Sequence, residues 1–121
     1  MAEKQCDLLK NGGGRNKWTL SENISNMGVS EHAITLPDDC DEVLVQIVVP
    51  LSNANRIYAQ TLPISCLDNT KKQISLGGGY ITSSSYSYVY IYLSKSVVQI
   101  IDCNISGQNY SGTSICRIYT R

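Results

Sequence analysis

Eight consecutive residues constrain this chain more than any others: Tyr86-Ser87-Tyr88-Val89-Tyr90-Ile91-Tyr92-Leu93. Successive side chains on a β-strand point to opposite faces, so Val89, Ile91 and Leu93 fall on one side and Tyr86, Tyr88, Tyr90 and Tyr92 on the other. The aliphatic side is expected to enter a core. The tyrosine side sets four phenol rings in a row, about 6.8 Å apart, apolar in the body and polar at the tip. Three readings of that row stand: the ordinary solvent side of a sheet, a subunit interface, or a platform for a ligand or glycan.

The rest of the chain supplies more strands. Thirteen Ile, eight Val and eight Tyr stand against four Ala and four Glu, a bias toward extended backbone. Fifteen Ser, nine Asn and nine Gly provide the turns that many short strands need. Apolar runs bounded by turn residues predict strands at 17–20, 31–36, 42–49, 56–62, 73–82, 86–93, 97–102 and 113–119. The run at 42–49 is nearly all apolar and so reads as a central strand ended by Pro50. Gly77-Gly78-Gly79 interrupts the strand at 73–82, and a bulge or sharp bend with another backbone passing closely is expected there. With no long helical stretch to serve as a parallel crossover, the expected fold is all-β: an antiparallel, jelly-roll-like β-sandwich of about eight strands.

At 121 residues the chain is the size of one compact domain, with enough core to fold without a metal or a disulfide framework. Residues 16–121 are expected to form that domain. Residues 1–15 stand apart as a flexible N-terminal segment, because Asn11-Gly12-Gly13-Gly14-Arg15 stops any helix begun at Asp7-Leu8-Leu9-Lys10. The N-terminus is charged and lacks the apolar run of a secretory signal, which implies synthesis in a reducing cytoplasm. No stretch approaches the length of a membrane span. Ten basic and ten acidic residues cancel, which argues against nucleic acid as a partner.

Few residues carry chemistry. The five cysteines, Cys6, Cys40, Cys66, Cys103 and Cys116, are odd in number, scattered and without a Cys-x-x-Cys pair. They read as mostly buried, unpaired thiols, with a Cys103 to Cys116 bridge across a hairpin as the one pairing to check. His32 is the sole histidine, so no zinc site is expected, and no cofactor either. No Gly-x-Ser-x-Gly elbow supports a catalytic serine. Asp38, Asp39, Asp41 and Glu42 place four carboxylates in five positions, a solvated turn by the plainer reading. The alternative is a small hydrolase or lyase acting on a carbohydrate polymer through two of them. Asn23-Ile24-Ser25, Asn104-Ile105-Ser106 and Asn109-Tyr110-Ser111 fit the glycosylation tripeptide and are read as polar turns.

Taken in order, Trp18-Thr19-Leu20, Ile34-Thr35-Leu36-Pro37, Glu42-Val43-Leu44-Val45-Gln46-Ile47, Leu62-Pro63-Ile64, Gly78-Gly79-Tyr80-Ile81 and Ile115-Cys116-Arg117-Ile118-Tyr119 resemble small β-sandwich proteins of phage and prophage tail-fibre and baseplate regions. The resemblance spans residues 17–120 and is one of strands and turns. It implies a non-enzymatic virion component made in the host bacterial cytoplasm. It also implies a domain that contacts the host surface, often as a homotrimer, with other virion proteins or a cell-surface glycan as partners. No catalytic residue is carried over from it.

Overall fold

The computed structural model of the chain describes residues 17–80 and 86–121. The expected N-terminal segment, Cys6, and the end of the strand expected at 73–82 lie outside the described residues. Among the described residues nine strands follow in order: β1 (Thr19–Met27), β2 (His32–Ala33), β3 (Glu42–Pro50), β4 (Asn55–Pro63), β5 (Lys72–Tyr80), β6 (Tyr86–Leu93), β7 (Val97–Ile105), β8 (Gln108–Asn109) and β9 (Ser114–Thr120). Among the described residues the only helical piece is a 3₁₀ turn at Ile64–Cys66. The strands form two antiparallel sheets, one in the order β1-β9-β3-β4 and the other β2-β7-β6-β5, with β8 hydrogen-bonded to β7. The fold is a β-sandwich, as the composition and the period-2 runs imply.

The core lies between the sheets. From the first sheet β3 contributes Val43, Val45, Ile47 and Val49, all fully buried, and β9 adds Cys116 and Ile118. Facing them are Val89, Ile91 and Leu93 of β6 with Val98, Ile100, Cys103 and Ile105 of β7. Each buried Val, Ile or Leu contributes about 1.5–3 kcal/mol relative to exposure, so this interlayer holds the two sheets together.

Local chemistry explains where the strands depart from expectation. β1 runs through the polar stretch Ser21 to Asn26 because, among the described residues, it is an edge strand bonded only to β9 and half open to water. Its register slips twice, between Leu20 and Glu22 and between Ile24 and Met27, and such bulges twist an edge away from stray pairing. The strand expected at 31–36 shrinks to β2, a two-residue bridge to β7. β7 carries a bulge opposite Tyr90 and Ile91, where Tyr90 pairs with Asp102 but Ile91 with Ile100. The extra residue, Ile101, shifts the phase of the strand, so Val98 and Ile100 point inward before it and Cys103 and Ile105 after it.

The bulge expected near the glycines is present between Ser75 and Gly77 of β5. What approaches Gly77 is a side chain from the other sheet, not a backbone: a Cβ there would lie 2.6 Å from Cδ1 of Tyr58. Tyr58 stands on β4 and packs against the core, so the glycine is the seat on which this edge of the sandwich closes. Gly79, at φ +147°, takes a backbone conformation that side-chain-bearing residues rarely adopt.

Cys40, Cys103 and Cys116 are buried and Cys66 is exposed, all as free thiols. The possible Cys103 to Cys116 bridge was placed across a hairpin, but β7 and β9 belong to different sheets. Burial pushes the Cys116 thiol up to about 12 and also raises those of Cys103 and Cys40. Cys103 shares a 3.7 Å contact with the Ser114 hydroxyl, inside the core.

Candidate functional site

β6 sits between β5 and β7, so its outward side chains form the middle of a sheet face. Its burial alternates without a break: Ser87, Val89, Ile91 and Leu93 are buried, Tyr86 is exposed, and Tyr88, Tyr90 and Tyr92 are half-buried. The turn into β7 fixes this arrangement locally. The Ser94 hydroxyl accepts hydrogen bonds from the amides of Ser96 (3.1 Å) and Val97 (3.0 Å), while the Ser94 amide donates to the Val97 carbonyl (2.9 Å). A buried serine therefore takes the place of a longer loop, and β6 and β7 are held in register.

The rings draw closer than the strand repeat of about 6.8 Å. Tyr86 and Tyr88 have centroids 5.8 Å apart with planes 14° from parallel, and Tyr88 and Tyr90 are 5.2 Å apart at 30°. These are favourable offset geometries, so three of the four rings form one continuous aromatic ladder.

Polar side chains flank the ladder at fixed register. On the β7 side Asn104 lies opposite Tyr88, Asp102 opposite Tyr90 and Gln99 opposite Tyr92. On the β5 side Gly78 lies opposite Tyr88, Ser75 opposite Tyr90 and Gln73 opposite Tyr92. Asp102 reaches the face only because the Ile101 bulge turns it outward. The Tyr88 phenol is held above its ordinary range first by its partial removal from water, then by the charge of the Asp102 carboxylate. The missing side chains of Gly78 and Gly79 leave a shallow groove of about 440 Å³ beside Tyr86, Tyr88 and Tyr90.

The two ends of the ladder differ. At Tyr92 the Lys71 ammonium lies 5.2 Å from the ring centroid and pairs with Glu31, with Gln99 Oε1 3.3 Å away. Gln99 in turn donates to the Val29 carbonyl at 2.8 Å. This network ties one end down. At the other end the Tyr86 ring is 46% exposed.

The carboxylate cluster gathers less tightly than its sequence spacing suggests. Glu42 is bridged by Arg121 at 2.7 Å, and the guanidinium of Arg121 lies 4.1 Å over the Trp18 ring. Asp39 and Asp41 line a surface cavity with Lys17, Thr19 and Arg121, whereas Asp38 opens on a separate one beside Ile34 and Lys95. His32 sits on β2 opposite Val98. Among the described residues no group of three or more His, Cys, Asp or Glu is placed to hold a metal ion, and no helix is long and apolar enough to cross a membrane. Two of the three glycosylation tripeptides do form turns. Asn104 accepts from the Gly107 amide (2.9 Å) and Asn109 from Ser111 (2.9 Å), while Asn23 lies within β1.

Sequence reasoning identified the ring row but missed Asp102 and Lys71. The pattern Val98, Ile100, Cys103, Ile105 does change phase at Ile101-Asp102, and that change was the readable trace of the bulge. Lys71 had none, because its partners lie 28 and 40 residues away. In comparison with known proteins, the chain matches no family model, no curated protein and no solved structure.

Proposed function

We propose that this chain is a non-enzymatic binding module of the virion tail-appendage kind that its sequence resembles, and that the tyrosine ladder of β6 is its contact surface for a cell-surface glycan. The carrying observation is the ladder itself. Three rings in mutual contact stand on a core-backed central strand, with amide, hydroxyl and carboxylate side chains at register on both sides. Sugars present apolar C–H faces and ring hydroxyls together, and aromatic bodies beside fixed polar groups answer both. Because Val89, Ile91 and Leu93 anchor the strand from beneath, the rings are held in place before a ligand arrives, which lowers the ordering cost of binding.

A catalytic role for the carboxylates receives less support. Bond cleavage in a glycan requires two carboxyls facing one linkage across about 5–9.5 Å. Here Glu42 is engaged by Arg121, and Asp38 lies on a different cavity from Asp39 and Asp41. The test is an array of bacterial surface polysaccharides probed with the labelled protein and with Tyr88→Ser/Tyr90→Ser. Binding by the first and not by the second is expected. Equal binding by both, or chain shortening of a polysaccharide during incubation, would refute the proposal.

A further inference from the structure

The opposite side of the sandwich carries a second surface. On β3 the inward set Val43, Val45, Ile47 and Val49 alternates with Leu44, Gln46 and Val48, so the strand is apolar on both sides. Strands with that pattern are ordinarily covered on both faces. The register extends the outward set across the sheet. Val48 stands between Ile57 of β4 and Ile115 of β9, and Leu44 stands opposite Tyr119, which neighbours Leu20 on β1. Of these six, Ile57 and Leu20 are 61% and 48% exposed, Leu44, Ile115 and Tyr119 are half-buried, and Val48 is buried between its neighbours. Two apolar rows thus bracket one polar row, in which Gln46 pairs with Arg117.

We infer that this outer face of the β1-β9-β3-β4 sheet is where a second copy of the chain docks, in a two-fold dimer with the strands of the two copies roughly aligned. Four strands about 4.8 Å apart and about 30 Å long offer close to 600 Å² per copy, near 1,200 Å² for the pair, the lower end of specific interfaces. A two-fold axis lying between the sheets and along the strands sets β3 of one copy against β9 of the other. Val48 then meets Ile115, Leu44 meets Tyr119 and Gln46 meets Arg117, each contact occurring twice, as an isologous interface requires. The single charge in the centre of the face is met by an amide, not by its own copy. This arrangement leaves the tyrosine ladder outward on both copies, so it is independent of the glycan reading.

Sedimentation equilibrium of the full chain from micromolar to millimolar concentration tests the inference, alongside Ile57→Glu, Ala59→Arg and Tyr88→Ser/Tyr90→Ser. The expected result is a concentration-dependent species of twice the 13.3 kDa chain mass. The dissociation constant should rise at least tenfold in Ile57→Glu and in Ala59→Arg and stay unchanged in the tyrosine pair. Two edge substitutions guard against a folding defect in either, and circular dichroism confirms that the monomers remain folded. A monomer at every concentration would overturn the inference and assign the face to another occupant. So would a trimer, or a dimer broken only by the tyrosine pair.

Discussion

Gly77→Ala concentrates the argument about how the sandwich closes. An added Cβ would sit 2.6 Å from Cδ1 and 3.2 Å from Cε1 of Tyr58, against about 3.5–4.0 Å for a relaxed carbon contact. The ring must therefore retreat by about 1 Å. It has little room, because it packs against the core and its hydroxyl is buried. Overpacking of this kind costs about 1–3 kcal/mol. Alanine in place of glycine returns about 0.5–1 kcal/mol in unfolded-chain entropy, which leaves a net loss of up to about 2.5 kcal/mol. Urea unfolding followed by circular dichroism measures it, and a double-mutant cycle assigns it. Tyr58→Ala alone should cost about 2–4 kcal/mol, and in that background Gly77→Ala should be neutral or slightly stabilising. If Gly77→Ala costs the same with and without the ring, or stabilises the parent protein, the contact is not what the glycine serves.

Other substitutions and titrations read separate parts of the structure. Tyr58→Phe removes a buried hydroxyl that has no hydrogen-bond partner among the described residues and should leave stability unchanged or raise it by up to about 1 kcal/mol in the same urea assay. Ile91→Asp should abolish folding by bringing an unpaired charge into the core, whereas Tyr88→Ser should leave a cooperative thermal transition. In a Cys6→Ser background one thiol, Cys66, should react quickly with a disulfide reagent while Cys40, Cys103 and Cys116 react only on unfolding. The raised Tyr88 phenol and the raised thiols give stability that is complete below the pH at which their unfolded counterparts ionise. It is lost as pH rises through their folded values, so unfolding midpoints should fall above about pH 9. Asp102→Asn should lower the Tyr88 titration in NMR by removing the neighbouring charge.

Much of this was readable from period and punctuation. The limits of β6 and the inward set Val89, Ile91 and Leu93 follow from strict alternation, and β3 and β4 from apolar runs closed by Pro50 and Pro63. What escaped is non-local. β1 is a strand because β9 offers it a partner almost a hundred residues away, not because Ser21 to Asn26 favour extension. Tyr58 and Gly77 meet across the two sheets, and neither residue announces the other. Asp102 joins the ladder through a one-residue bulge that reverses which side chains of β7 face outward. Bulges break the period that makes strands legible, and here one supplies the ladder with its carboxylate.

The central claim is that the outward rings of β6 receive a sugar. Its most direct test is ¹³C-edited NMR of the tyrosine rings during titration with the polysaccharide fragments that score on the array. Saturable shifts at Tyr86, Tyr88 and Tyr90, with Tyr58 and Tyr119 still, are the predicted result. Silence at those three rings, or shifts gathered instead around Lys17, Asp39 and Asp41, would contradict it.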